Sequence, residues 1–186
     1  MRRLVFPLIV GFALLALAPG TATGTSERST FLLVMDAPNI GVAPNGDRVS
    51  ITCESRQDAC GTFSAHPKSV EASGEFQHTD SAGNVVGAGT WTATELLSFH
   101  FYGCRFIPAV DVDLGDDNLC GGAVKMRVTL HTPVGDLPGI LTVFCIVGEQ
   151  APASHDTPEG EGVTLNVPGL INFTHTGGGE NIYIRQ

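Results

Sequence analysis

Apolar and polar side chains alternate in steps of two along much of this chain, and this period most constrains how it folds. In the clearest segment, residues 123–131, the apolar side chains share one face of an extended strand: Val124, Met126, Val128 and Leu130. Residues 48–53 and 97–102 alternate in the same way, and no long stretch has the 3.6-residue period of a helix. The pattern predicts strands that turn one face toward a core and the other toward water.

Turn signals divide the chain into short strands. It holds 23 glycines and 11 prolines, and clusters such as Asn45-Gly46-Asp47 and residues 81–84 separate strand-like runs, as hairpins require. Residues 37–44 are predicted to be a linker, and residues 148–162 a long exposed loop. We expect an all-β protein: a single antiparallel β-barrel or β-sandwich domain of about ten short strands over residues 25–186. The predicted strands are residues 30–35, 48–53, 70–79, 85–94, 97–102, 107–112, 123–131, 140–147, 162–167, 170–176 and 181–185.

The start of the chain has the pattern of a secretory signal peptide. Arg2 and Arg3 supply positive charge, residues 4–18 are almost entirely apolar, and small residues offer cleavage sites after Ala18 or a few positions later. The alternative is a retained anchor helix, but the apolar run is short for the roughly 30 Å of hydrocarbon in a bilayer. We expect a cleaved leader over residues 1–24, no membrane span after its removal, and a secreted or periplasmic product.

The charge balance bears on the class of partner. The chain has 10 Lys and Arg against 19 Asp and Glu, a formal net charge of −9 at pH 7. Negative charge repels nucleic-acid phosphates and anionic lipid. The sequence therefore disfavours nucleic-acid binding and peripheral membrane docking, and leaves a protein, a glycan or a small molecule as the partner.

Five cysteines follow the leader, and export makes disulfides reasonable. We predict the pairs Cys53–Cys60 and Cys104–Cys120, because each brackets a polar stretch that a bridge would hold, although the sequence leaves other pairings open. The odd count leaves at least one thiol unpaired in a monomer. Cys145 lies in an apolar run, where burial would suppress its reactive thiolate. The cysteine spacings contain no C-x-x-C pair of the kind that binds zinc.

One acidic stretch supplies candidate ligands for Ca²⁺: Asp111, Asp113, Asp116, Asp117 and Asn118. Calcium takes six to eight oxygen ligands, often from closely spaced Asp and Asn. The order departs from the EF-hand loop, because Gly115 comes one place early and Gly122 stands where the bidentate glutamate should be. The alternative is a solvated acidic loop held by Cys120. Apart from this Ca²⁺ candidate, we expect no cofactor.

Three residues are candidates for a ligand site inside the β-domain. His78 is in phase with Phe76, and His175 with Phe173, so both histidines are predicted to point inward. Trp91 shares a strand face with very small residues, which leave space beside its indole for a ligand or a facing chain. The alternative is that each histidine is hydrogen-bonded within the core or emerges at a strand end, and that Trp91 is a central core residue.

Four motifs together resemble a pattern in uncharacterised secreted prokaryotic β-rich proteins: Asn45-Gly46-Asp47, Cys60-Gly61-Thr62-Phe63, Ala82-Gly83-Asn84-Val85-Val86 and Gly89-Thr90-Trp91-Thr92-Ala93-Thr94. The motifs lie in the middle part of the chain. No activity is known for such proteins, so the resemblance implies no function. The cysteines are the features that we least expect to be shared.

The chain lacks the local motifs of nucleophilic catalysis, including G-x-S-x-G and S-x-x-K. We therefore favour a noncatalytic secreted binding or surface-interaction domain. The alternative is an extracellular small-ligand carrier, or an enzyme, with an interior site near His78, His175 and Trp91. A carrier needs a cavity of a few hundred Å³ or more with convergent polar groups, whereas an interaction module can have a filled core and an exposed patch.

Overall fold

β-strands are the only regular elements of the residues that the computed structural model describes, which are 29–54, 59–105, 119–153 and 160–186. The all-β prediction is confirmed. The predicted leader over residues 1–24 lies outside the described residues. In chain order the strands are β1 (Thr30–Met35), β2 (Asn39–Val42), β3 (Arg48–Cys53), β4 (Ala59–Ala65), β5 (Lys68–Thr79), β6 (Val85–Cys104), β7 (Leu119–Thr132), β8 (Gly135–Cys145), β9 (Gly162–Val167), β10 (Ile171–Phe173), β11 (His175–Thr176) and β12 (Asn181–Arg185).

Six of the strands close into an antiparallel barrel. Its order is β1, β4, β5, β6, β7 and β12, and β12 pairs with β1 to complete the circle. The remaining strands extend from this barrel on two sides. β3, β2 and β11 continue from β5, whereas β8, β9 and β10 continue from β7. The sequence left a barrel and a sandwich as alternatives. The structure is a barrel with two extensions.

Long strands with bulges connect the barrel to its extensions. β6 has 20 residues and joins two strands that the sequence predicted separately, residues 85–94 and 97–102. Its pairing with β7 shifts register between Ala93 and Glu95 and again between Leu96 and Ser98. A bulge inserts a residue and reverses the phase of alternation without ending the strand. The break in alternation was therefore a change of phase and not a turn.

Two strands were absent from the predictions. Residues 37–44, predicted to be a linker, contain β2, and residues 59–65 form β4. Gly41 interrupts the apolar pattern of β2 because the chain is crowded there: a Cβ at Gly41 would lie 3.0 Å from the carbonyl oxygen of Val163 in β9. β4 contains small and polar residues on both faces, so its alternation is weak. β2 was therefore missed because of crowding by another strand, and β4 was missed because of its composition.

Aromatic rings fill the barrel interior. The Phe63 ring lies between three others, with centroid distances of 5.2 Å to Phe31, 4.8 Å to Phe99 and 5.3 Å to Tyr183. The Tyr183 hydroxyl is fully buried and donates a hydrogen bond to the carbonyl oxygen of Val143 at 2.8 Å. Each fully buried large apolar side chain stabilises the fold by about 1.5–3 kcal/mol. The end of the barrel that contains Phe31, Phe63, Phe99 and Tyr183 therefore has a packed interior, and we call it the aromatic end.

Both predicted disulfides are confirmed. Cys53 is bonded to Cys60 across the connection from β3 to β4, and Cys104 is bonded to Cys120 across the connection from β6 to β7. Cys145 is free and fully buried, and its thiol donates to the carbonyl oxygen of Cys120 at 3.5 Å. Burial, with the nearby Glu161 carboxyl, raises the pKa of the Cys145 thiol. Among the described residues, no helix is long and apolar enough to cross a membrane.

Candidate functional site

A cavity of about 750 Å³ opens between the two extensions of the barrel. Strands β3, β5 and β6 form one side, and strands β7, β8, β9 and β10 form the other. Its wall contains apolar side chains that are each less than 9% exposed: Val49, Phe76, Leu130, Leu165, Val167 and Phe173. We call this space the chamber. It opens to solvent where the hairpin tips of these strands meet.

Gly87 on the inner face of β6 contributes to the volume of the chamber. Gly87, Gly89 and Trp91 share that face, as the sequence predicted. A Cβ at Gly89 would clash with the carbonyl oxygen of His131 in β7 and would also lie 3.1 Å from the Phe76 ring, so no free volume remains there. A Cβ at Gly87 would meet nothing closer than the Cβ of His78 at 3.8 Å. Gly87 therefore faces free volume, and any side chain placed there would project into the chamber.

Only one of the three residues predicted for an interior site lines the chamber. His78 does so, and its side chain is 23% exposed. Trp91 is fully buried beyond the chamber, where its indole Nε1 donates to the carbonyl oxygen of Thr52 at 3.1 Å. His175 is exposed, and its Nδ1 lies 2.9 Å from the Thr174 hydroxyl. The structure does not bring His78, His175 and Trp91 together.

The inward orientation predicted for His175 is wrong for a local reason. Phe173 is buried, and the predicted strand 170–176 carried its alternation forward to His175. In the structure β10 ends at Phe173 and β11 begins at His175, with Thr174 between them in neither strand. β10 pairs with β9, whereas β11 pairs with β2. The chain therefore changes partner at Thr174, and the alternation does not continue across it.

Sequence reasoning missed the partner of His78. The Nε2 atom of His78 lies 3.0 Å from a carboxylate oxygen of Asp47, which is 31 residues away in the chain. Asp47 belongs to the turn between β2 and β3, where its backbone N–H donates to the Asn45 side chain at 3.2 Å. The His78 ring also packs edge-on against Phe173, with centroids 5.2 Å apart. The motif Asn45-Gly46-Asp47 indicated a turn but not this contact.

The polar groups of the chamber are few and lie mainly on one side. The polar residues among those lining it are Asn45, Asp47, His78 and Thr132. The first three converge at the turn between β2 and β3. Thr132 is engaged elsewhere, because its hydroxyl donates to the carbonyl oxygen of Gly135 at 2.7 Å. No lysine or arginine is among the described residues that line the chamber.

Two smaller depressions lie elsewhere. One, of about 490 Å³, is on the outer face of β3, β5 and β6 and is lined largely by exposed polar residues such as Glu75, Gln77 and Thr90. The other, of about 230 Å³, lies beside Phe101 and Arg185 at the aromatic end. The guanidinium of Arg185 stacks over the Phe101 ring at 5.5 Å. Both depressions are smaller than the chamber.

A buried polar cluster joins the two extensions beside the barrel. The Glu161 carboxylate accepts hydrogen bonds from the backbone N–H of Ile146 at 2.8 Å and of Asn181 at 3.3 Å. The Asn181 side chain donates to the carbonyl oxygen of Phe144 at 2.9 Å and to the side chain of Asn39. Burial raises the pKa of the Glu161 carboxyl above its ordinary value. The Glu161 carboxylate and the Asn181 side-chain nitrogen have partners within the fold, whereas the buried Asn181 Oδ1 has none among the described residues. Because the Asn181 side chain joins β12 to β2 and β8, we assign the cluster a structural role.

The structure supplies no metal site within its described residues. No group of three or more His, Cys, Asp or Glu side chains there is arranged to hold an ion. The Ca²⁺ candidate lies in a segment outside the described residues, 106–118. Its proposed ligands are Asp111, Asp113, Asp116, Asp117 and Asn118. The Ca²⁺ prediction therefore stays a prediction.

Comparison with known proteins does not add to this geometry. No protein-family model, curated protein or solved structure matches the chain. The functional argument therefore rests on the chamber and its polar corner.

Proposed function

We propose that this protein is an exported, noncatalytic binding protein that carries one small, largely apolar molecule in the chamber. The observation that supports the proposal is the open cavity of about 750 Å³ with a buried apolar wall. Small-molecule sites are typically clefts of about 300–1,000 Å³ with mostly apolar linings and a few placed polar groups. The chamber meets each of these criteria. An interaction module with a filled core would not need it.

The lining also defines the chemistry of the ligand. An apolar body would replace water against the wall, with a gain of roughly 25 cal/mol for each Å² of apolar surface buried. A polar end would be placed beside Asp47 and His78, in the polar corner of the described lining. The Asp47 carboxylate accepts hydrogen bonds, and no lysine or arginine lines the described wall to neutralise an anion. We propose a ligand with an uncharged donor at one end, such as a long-chain alcohol.

Binding without turnover is favoured by the side chains around the polar corner. A serine, threonine or cysteine nucleophile needs a base within hydrogen-bond reach of its hydroxyl or thiol. No serine or cysteine is among the described residues that line the chamber, and the Thr132 hydroxyl is bonded to Gly135. The Asp47–His78 pair is therefore proposed to orient a ligand. Hydrolysis of an ester probe by the protein would contradict this assignment.

Export is part of the proposal. The leader pattern over residues 1–24 predicts secretion or transfer to the periplasm. Two disulfides are stable in such an oxidising compartment. Detection of the processed protein outside the cytoplasm, with a new N-terminus after Ala18 or a few positions later, would test this part.

The proposed site is tested by filling the chamber. We expect a fluorescent apolar probe to bind the wild-type protein and to be displaced by dodecanol. Gly87→Phe places a ring in the free volume and should weaken probe binding at least tenfold, since most of the apolar contact would be lost. Thr90→Phe is the matched control, because it adds the same ring to the exposed outer face of the same strand. Equal probe binding by the wild type and Gly87→Phe would contradict the proposal.

The proposed head group is tested with ligands of one chain length. Dodecanol should bind more tightly than dodecane, and dodecanoate should bind more weakly than dodecanol because its charge would lie beside Asp47. Asp47→Asn removes the negative charge and should reduce the difference in affinity between dodecanoate and dodecanol. If all three ligands bind equally, the chamber holds apolar molecules without reading a head group. If dodecanoate binds best, the charge argument is wrong.

A further inference from the structure

Exposed apolar side chains are concentrated at the mouth of the chamber. Val134 is 95% exposed, Leu170 is 66% exposed, and Val85 and Val86 are 57% and 56% exposed. We call these four residues the apolar rim. The remaining large apolar residue that is exposed among the described residues, Phe101 at 40%, lies at the aromatic end. Val86, Val134 and Leu170 also line the chamber, so the rim surrounds its opening.

Hydrogen bonds fix the hairpin tips that carry the rim. At the tip between β7 and β8, the Thr132 hydroxyl accepts from the backbone N–H of Val134 at 3.2 Å and donates to Gly135. At the tip between β9 and β10, the backbone N–H of Leu170 donates to the carbonyl oxygen of Val167 at 3.1 Å. These bonds hold Val134 and Leu170 in water, where their exposed apolar surface contributes no hydrophobic free energy to the fold.

The tip before β6 is ordered in the same way. The Asp80 carboxylate accepts hydrogen bonds from the backbone N–H groups of Ala82 and Asn84 at 2.9 and 2.8 Å. These bonds lower the pKa of Asp80, the side-chain amide of Asn84 contributing most. Val85 and Val86 follow this turn directly. The three tips thus present apolar side chains on a defined scaffold around one opening.

Charge at the rim distinguishes between lipid surfaces. The segments that form the three tips, residues 80–86, 132–136 and 167–171, contain Asp80 and Asp136 and no lysine or arginine. Anionic lipid would repel these carboxylates and the net charge of −9. A zwitterionic or uncharged surface imposes no such penalty. The charge argument from the sequence therefore disfavours docking on anionic membranes and does not apply to neutral ones.

The shape of the rim favours lipid over a protein partner. A stable protein interface buries about 800 Å² on each partner in a continuous, complementary patch. The rim instead consists of single side chains on three separate tips around an open mouth. A fluid acyl layer adapts to such tips, and binding at the boundary between head groups and acyl chains increases with the apolar area that is buried there.

We propose that the apolar rim inserts into a neutral, zwitterionic lipid surface and turns the mouth of the chamber toward the acyl layer. An apolar ligand then passes between the membrane and the chamber without crossing bulk water. This inference rests on the proposed function for its biological purpose, but contact between the rim and lipid can be measured without any ligand.

The test is flotation of the ligand-free protein with phosphatidylcholine vesicles. The wild type should float with the vesicles, and the double variant Val134→Ser with Leu170→Ser should lose about a hundredfold in partitioning, since two apolar side chains no longer enter the acyl layer. Phe101→Ser removes an exposed apolar side chain at the other end and should stay within about twofold of the wild type. Replacing most of the phosphatidylcholine with phosphatidylglycerol should weaken binding at low salt.

Three results would overturn the inference: no flotation of the wild type, equal loss in Phe101→Ser, or stronger binding to the anionic vesicles. Thermal melting of each variant checks that it is folded. Binding of the apolar probe in solution separates the two proposals. If the wild type binds the probe in solution but does not float with the vesicles, the chamber function stands and the rim has another role.

Discussion

The two halves of strand β6 use the same alternation for opposite purposes. In residues 85–93 the inner face carries Gly87, and free volume of the chamber remains beside it. In residues 95–104 the strand contributes Phe99, whose ring is 5.0 Å from Phe31 and 4.8 Å from Phe63. The period of a strand determines which side chains point inward. Their volume determines whether the interior becomes a core or a chamber.

The largest effect expected from this comparison concerns two phenylalanines that are both 1% exposed, Phe63 and Phe173. Phe63→Ala should lower the free energy of unfolding by about 3–5 kcal/mol, because the ring contacts other rings on several sides. Phe173→Ala should cost less, because this ring borders free volume and its removal loses fewer contacts. Urea denaturation measures both values. A cost for Phe173→Ala equal to or above that for Phe63→Ala would contradict the distinction between core and chamber.

The next effect concerns the disulfide near the aromatic end of the barrel, between Cys104 and Cys120. Replacing Cys104 and Cys120 together with alanine opens a loop with a sequence separation of 16 residues and should lower the free energy of unfolding by about 3 kcal/mol. The chamber lies at the other end of β6, so a folded double variant should bind the apolar probe with unchanged affinity. Denaturation and probe titration on the same sample give both numbers. Loss of probe affinity in the folded variant would show that the ends are not independent.

A third effect depends on pH and concerns the cluster that joins the two extensions. Burial raises the pKa of Glu161 in the folded protein above its ordinary value of 4.5. Between these two pKa values the folded protein binds more protons than the unfolded chain, so the contribution of Glu161 to stability falls as pH rises through this window. Below the window and above it the contribution is constant.

Glu161→Gln isolates this contribution from those of the other carboxyl groups. The difference in unfolding free energy, wild type minus variant, should decrease as pH rises from about 4.5 through the raised pKa and then level off. Urea denaturation of both proteins over a series of pH values measures it. A difference that increases with pH would mean that the pKa of Glu161 is lowered and that its hydrogen bonds outweigh its burial.

The smallest effect is expected where the two halves of β6 meet. Glu95 and Arg127 form an ion pair at 3.0 Å across β6 and β7, but their side chains are 57% and 52% exposed. Exposed pairs of this kind contribute about 0.2–1 kcal/mol. Arg127→Ala should therefore change stability by less than about 1 kcal/mol and leave probe affinity unchanged. A larger loss would show that this pair couples the core to the chamber.

The alternation of apolar and polar residues predicted those strands whose bounds depend mainly on their own sequence. The bounds of β1, β3, β9 and β12 agree with the sequence predictions, and both disulfides were paired correctly. β2 was missed because Gly41 is there for close contact with another strand. Long-range contacts were beyond the sequence, since alternation states the side of a residue and not what faces it.

The candidate site shows the same limit. His78 was predicted to point inward, but its contact with Asp47 depends on pairing between β3 and β5 and on the turn before β3. The volume of the chamber depends on the separation of two sheet extensions, which no single segment encodes. His175 was assigned to the interior because a single strand was predicted over residues 170–176. The structure has two strands there, β10 and β11, which pair with different neighbours.

The most direct test of the account is a methyl NMR titration of the protein with dodecanol. We predict large chemical-shift changes for methyl groups that line the chamber, those of Leu130, Leu165 and Val167, and none for Leu33 and Leu119, which are equally buried but do not line it. Gly87→Phe should abolish the changes. Shifts confined to Leu33 and Leu119, or an unchanged spectrum at saturating dodecanol, would contradict the claim that the chamber is the binding site.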